Sequence, residues 1–274
     1  RFSNLVLLGF LAGMKTSPED AAEMVKLINY PVVSQTLWYT AARSDDGSWI
    51  FPLIEYPTGP LYQNLMIAAR WLRDAPSQAA WRPVVMRNLV SLIQNDRLPL
   101  SIQARLVNAF YLSRDPATPK LFKQLLSSRS PIIKRAALLG CGALANPQLI
   151  SEIIDLLADR DSNVRYTACM ALAAIPGDAP VNALVEVLLS GDEDLRRASA
   201  EALSHIQPDG HKALEEAAAV DDILVRRAAM FGLMQINEPW AKQILEKTAI
   251  EDGEWVVRNA AAQALETLQQ DHPL

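Results

Sequence analysis

Small and apolar residues return along the last two-thirds of the chain in a pattern that recurs six times. An aliphatic residue is usually followed by a basic one, then by small or apolar residues four, seven, eight and eleven places on. The pattern reads IQARLVNAF from Ile102, IKRAALLGC from Ile133, VRYTACMAL from Val164, LRRASAEAL from Leu195, VRRAAMFGL from Val225 and VRNAAAQAL from Val257. These anchors lie 31, 31, 31, 30 and 32 residues apart. Positions 0, 4, 7, 8 and 11 share one side of a helix with 3.6 residues per turn, so each copy predicts an amphipathic helix whose alanines admit close neighbours. Pro116, Pro147, Pro176, Pro208 and Pro239 follow the copies, ending one helix and starting the next. Between each proline and the next anchor runs a second amphipathic segment, such as LFKQLLSS from Leu121, LISEIIDLLAD from Leu149 and VNALVEVLLSG from Val181. Two helices per ~31 residues predict helical hairpins in series.

The spacing and the signature D-x-x-V-R-x-x-A-x-x-A-L, present as Asp161, Val164, Arg165, Ala168, Ala171 and Leu172, resemble the phycobilisome-lyase type of HEAT repeat over residues 98–271. The resemblance implies an all-α fold, a right-handed α-solenoid of HEAT-like helical hairpins, with six regular repeats in residues 98–274. It says little about function, because such arrays host unrelated roles.

Residues 1–97 are expected to be degenerate helical repeats that cap the array. Ser17 reads as an N-cap with Pro18 at the first helical position. Further helices are expected at 33–43, 60–74 and 78–95. The stretch DDGSWIFPLIEYPTGP, residues 45–60, reads as an irregular insertion too rich in breakers for a helix.

Composition narrows the function classes. Half the residues are hydrophobic and 21% are charged, which is enough apolar material for a continuous core. The net charge of −5 is uneven: residues 1–97 carry 9 basic and 8 acidic groups, residues 98–274 carry 17 and 23. An acidic repeat region argues against nucleic acid unless its basic groups gather on one face. Cys141 and Cys169 sit among small apolar residues and read as buried free thiols of a cytoplasmic protein. With the scattered His205, His211 and His272 they offer no metal site, and no cofactor is expected. The longest apolar run, Leu5 to Met14, is too short to span a bilayer, so no membrane insertion is expected. The start at Arg1 reads as a piece of a longer polypeptide.

Two sets of residues stand out on the repeat. Asp161, Asp192 and Asp222 lie three places before their anchors, while Arg165, Arg196, Arg226 and Arg258 lie one place after. Groups that recur in every unit are expected to build it, the aspartates capping helices and pairing with arginines of adjacent repeats. Partner choice is expected instead from positions 2, 6 and 9 of the second helices, which vary between repeats and in such arrays line the concave side. The candidate partner-binding residues are Tyr111, Tyr166, Met170, Arg197, Arg227, Phe231 and Met234, types enriched at interfaces. Six repeats at ~9 Å spacing offer a strip of about 900 Å², the size of a standard interface.

The chemistry of other helical-repeat proteins has no counterpart. Deoxyhypusine hydroxylase holds iron with His-Glu pairs, and no histidine here precedes a glutamate. No bilin-attachment motif and no Gly-rich phosphate loop occur. The expectation is a non-catalytic scaffold or sensor that binds a protein or peptide. Its alternatives are a ligand-sensing or autoinhibitory repeat region of a larger STAND/NACHT-type NTPase, suggested by NLVLLGFLAG near the start, and a nucleic-acid binder using an Arg135, Arg197 and Arg227 stripe.

Overall fold

A computed structural model of the chain describes residue 12 and residues 16–55 and 61–271. Most of the Leu5–Met14 run lies outside the described residues, as do the chain start, residues 56–60 and His272. All regular structure among the described residues is helical, in sixteen α-helices and four short 3-10 turns. Contacts divide the chain into two compact units, the first ending at Leu125 and the second beginning at Leu126.

In the first unit, α1 (Pro18–Met24) starts as its sequence dictates: the Ser17 hydroxyl accepts from the Asp20 N–H at 3.1 Å, and Pro18 needs no N–H partner. Helix α2 (Pro31–Ala41) also opens on a proline. The stretch judged too breaker-rich for helix is partly helical: a 3-10 turn, Ser48–Ile50, runs into α3 (Phe51–Glu55). Burial explains the difference, since Trp49, Ile50, Leu53 and Ile54 are at most 3% exposed and the Trp49 ring lies 5.8 Å from that of Trp71. Pro52 is tolerated in the first turn, and Gly47 supplies the left-handed turn at φ 57° that leads in.

Helices α4 (Gln63–Trp71), α5 (Arg82–Ile93), α6 (Leu100–Ser113) and α7 (Thr118–Leu126) follow. Helix α4 packs on both α5 and α6. Counted from Leu61, α4 carries the repeat pattern, with Leu65, Ala68, Ala69 and Leu72 buried at positions 4, 7, 8 and 11. The insertion-broken period hides this copy in the sequence. Trp71, Trp81, Phe110 and Phe122 form the bulk of the core, the two phenylalanines edge to face at 5.6 Å.

The second unit contains α8 (Pro131–Leu144), α9 (Ile150–Asp155), α10 (Ser162–Ala173), α11 (Asp178–Ser190), α12 (Glu193–Ser204), α13 (Asp209–Ala217), α14 (Ile223–Met234), α15 (Pro239–Glu251) and α16 (Trp255–Asp271). The second helices of the hairpins, α8, α10, α12, α14 and α16, pack each on the next, and the first helices α9, α11 and α13 pack alongside. This is a solenoid whose core is the periodic stripe. Position 4 is fully buried in every copy of this unit, as Ala137, Ala168, Ser199, Ala229 and Ala261. Successive second helices approach closely at Gly232 of α14, where a Cβ would lie 2.6 Å from the Ala200 carbonyl oxygen of α12.

The Asp–Arg ladder is present and fastens successive hairpins. Asp161, Asp192 and Asp222 cap α10, α12 and α14 by accepting backbone N–H groups at 2.8–3.1 Å. Arg165 reaches Asp192 at 3.3 Å, Arg196 reaches Asp222 at 3.2 Å and Arg226 reaches Asp252 at 2.8 Å. Lys134 starts the ladder on Asp159. Each arginine also donates to carbonyls left over at the turn before its own helix, as Arg258 does to Asp252 and Gly253.

Candidate functional site

Helices α10, α12 and α14 bring six of the seven candidate side chains onto the face of the second helices in the second unit. Tyr166 and Arg197 are exposed there, and Met170, Arg227, Phe231 and Met234 are half-buried. Tyr111 is 48% exposed on α6 of the first unit. Position 9 is less open than helical spacing implies: Ser204 is buried, its hydroxyl donating to the Glu201 carbonyl at 2.6 Å.

Two grooves run between these helices. The one between α10 and α12 has a volume of about 400 Å³ and is lined by Asn163, Arg165, Tyr166, Asp194, Arg197 and Glu201, among others. The Tyr166 phenol donates to Glu201 at 2.9 Å, and burial together with that carboxylate holds its pKa above the usual tyrosine value. Between α12 and α14 a smaller pocket of about 100 Å³ is lined by Glu193, Arg197, Leu224, Arg227 and Phe231. The Arg197 guanidinium stands 4.4 Å above the Phe231 ring, and Arg227 pairs with Glu193. Arg197 thus belongs to both depressions, and each basic group is matched by a carboxylate or an aromatic face.

Sequence reasoning missed Glu193, Asp194 and Leu224, which lie one or two places before the anchors. Leu224, 49% exposed, could have been found as an apolar residue beside an N-cap, where no core position falls. It also missed a groove on the corresponding face of the first unit, between α4 and α6.

Cys141 and Cys169 are buried and unpaired, and burial pushes both thiols up to about 12, far from nucleophilic thiolates at neutral pH. His211 is fixed by the Ser204 carbonyl at 2.8 Å and by the Trp240 ring. Among the described residues no group of three or more His, Cys, Asp or Glu gathers as metal ligands, and no helix is long and apolar enough to cross a membrane.

The model of the HEAT-repeat family matches residues 118–204 and 192–266. Together these are residues 118–266, 149 of the 274. The chain belongs to the HEAT-repeat family. No curated protein matches it. Among solved structures it is similar to human deoxyhypusine hydroxylase in complex with glycerol, at 17% identity and a TM-score of 0.34, with 95% of this chain and 98% of that one covered. It is also similar to the Escherichia coli protein YibA, at 14% identity, TM-score 0.41 and 95% coverage of both chains. A designed armadillo repeat protein in complex with the peptide (KR)4 matches at 19% identity and TM-score 0.24, covering 91% and 99%. In this HEAT chain the three histidines precede Ile206, Lys212 and Pro273, so no histidine is followed by a glutamate. The HEAT hairpins place the varying side chains on one face and the recurring Asp–Arg pairs at the turns.

Proposed function

We propose that the chain is a non-catalytic protein-binding module, a scaffold or sensor, that holds a protein or peptide on the face of its second helices. The observation that carries this reading is the set of non-repeating side chains sharing that face: Tyr166 and Met170, then Arg197 and Glu201, then Arg227, Phe231 and Met234. Tyr111 would serve the same role in the first unit. Helices stacked in a solenoid hold such groups in place, which lowers the ordering cost of association. Glu193, Asp194 and Glu201 beside the arginines favour a polypeptide over nucleic acid, since their charge would repel phosphates.

This reading takes residues 98–274 as six regular repeats of the phycobilisome-lyase type and residues 1–97 as their degenerate cap. A place as the sensing or autoinhibitory arm of a larger NACHT-type NTPase would use the same face within one polypeptide. A cytoplasmic location is supported by the two unpaired buried thiols.

The test is affinity capture from lysate with the intact chain and with Tyr166→Ala/Phe231→Ala, at low and moderate salt. A protein retained by the intact chain at moderate salt and lost by the variant supports the face, provided the variant loses no more than about 2 kcal/mol of stability. Equal losses of binding and folding would make these groups core. Nucleic acid eluting steeply with salt would replace the protein reading by the arginine stripe.

A further inference from the structure

We propose that the groove between α4 and α6 in the first unit is a docking site for an acidic peptide segment. The proposal rests on the reading of the second helices as the recognising face and gives that face a ligand chemistry in the first unit. The groove has a volume of about 210 Å³. Gln63, Ile67 and Arg70 reach it from positions 2, 6 and 9 of α4, and Arg105, Asn108 and Leu112 from α6. No carboxylate lines it.

Arg105 does not belong to the repeat's own construction. It occupies position 3 of its helix, where the five copies of the second unit place Ala136, Thr167, Ala198, Ala228 and Ala260, all buried. The second unit stacks its hairpins with no charged group at this position. Its charge is also unspent: the described ion pairs of the first unit engage Lys26, Arg73 and Arg82, and none engages Arg70 or Arg105. Asp74 is already held by Arg73 at 3.0 Å and by the Trp38 indole N–H at 2.9 Å. Arg70 itself lies 6.0 Å from the Trp38 ring, a contact that orients it and leaves its charge unneutralised.

The contrast with the second unit identifies the ligand. There, Glu193, Asp194 and Glu201 balance the arginines within the grooves. In the α4–α6 groove the balance has to arrive with the partner. Two guanidinium forks match Asp or Glu carboxylates. The Gln63 and Asn108 amides can each donate and accept, as an extended backbone requires. Ile67 and Leu112 offer an apolar floor for a neighbouring side chain. A peptide with carboxylates beside an apolar residue satisfies all three.

Fluorescence anisotropy with the full chain tests this. The probe is a short labelled peptide in which Glu alternates with Leu, Ser and Gly, set against the same peptide with Gln for Glu and a version with phosphoserine for Glu. The Glu peptide is expected to bind about tenfold more tightly than the Gln peptide, a gap that salt closes. Arg70→Gln/Arg105→Gln should abolish that gap. Arg70→Gln alone, at an exposed position, should remove part of it without disturbing the fold, and Arg87→Gln/Arg97→Gln, an equal charge change outside the groove, should leave it intact. Equal affinity for the Glu and Gln peptides overturns the proposal, as does an arginine variant that behaves as the Arg87/Arg97 control does. Tighter binding of the phosphoserine peptide, or of a single-stranded oligonucleotide, overturns it in favour of a phosphate ligand. The two readings fail separately. Capture dependent on Tyr166 and Phe231 with no Glu preference overturns only this site; a Glu preference lost in the arginine variant, without such capture, upholds it and overturns only the face in the second unit.

Discussion

Replacing Arg226 by Met should cost far more stability than replacing Arg165 by Met, although both occupy the same repeat position. Arg226 makes two bonds to Asp252, at 2.8 and 3.3 Å, and one each to the Val220 and Asp221 carbonyls at 2.8 Å. The two side chains are only 15% and 9% exposed. Methionine keeps most of the aliphatic stem but leaves Asp252 enclosed with the Glu254 N–H as its remaining hydrogen-bond donor. Removing one partner from a largely buried pair costs about 3 kcal/mol. Arg165 makes one longer contact, 3.3 Å, to an Asp192 that is 58% exposed, and one carbonyl bond at 3.1 Å, so its loss should cost about 1 kcal/mol. Urea unfolding followed by circular dichroism measures the difference. Because repeat arrays can unravel unit by unit, amide exchange in α14 and α16 should show where stability is lost. Equal losses for the two variants, or less than about 1 kcal/mol for Arg226→Met, would refute the claim that burial of the rung sets its worth.

Acid should loosen the ladder. Asp222 titrates below the usual carboxylate range chiefly because the Val225 and Leu224 N–H groups donate to it; at Asp252, burial pushes upward but Arg226 and the Glu254 N–H more than offset it. Depressed folded values add stability that is present above the unfolded value of about 3.9 and is lost as pH falls through the folded one. Stability should therefore drop below about pH 4, and Asp252→Asn should flatten that drop in pH-dependent melts. Gly232→Ala should cost about 1–3 kcal/mol in chemical denaturation, whereas Gly253→Ala, with no atom within 4 Å of its Cβ, should change stability by less than about 0.5 kcal/mol. Cys141 and Cys169 should resist a thiol reagent at mildly alkaline pH and react together once guanidinium unfolds the chain; rapid labelling of native protein would contradict their burial.

The residues that build the hairpins were legible because their causes are local. Period-3.6 burial needs only the spacing of apolar positions, and it identified position 4, fully buried in every copy of the second unit. Caps at Ser17, Asp161, Asp192 and Asp222 act on N–H groups two or three residues ahead, within the reach of a sequence pattern. The ladder's outer rungs were less visible: Asp159 and Asp252 lie five places before their anchors, and their pairing with Lys134 and Arg226 depends on where one turn stands relative to the preceding hairpin. The α3 segment went unrecognised because its breakers argue locally against helix, while Trp49, Ile50, Leu53 and Ile54 gain more by burying against distant residues. The seven candidate side chains could be named from spacing, but spacing says nothing of what stands beside them. That Arg197 lies on Phe231, that Glu193 reaches Arg227, and that Arg70 and Arg105 share a groove without a carboxylate are contacts between helices about 30 to 35 residues apart. Helical periodicity decides which side of a helix faces the core; only the stacking of one hairpin on the next decides which charges meet, and with it the chemistry each groove offers a partner.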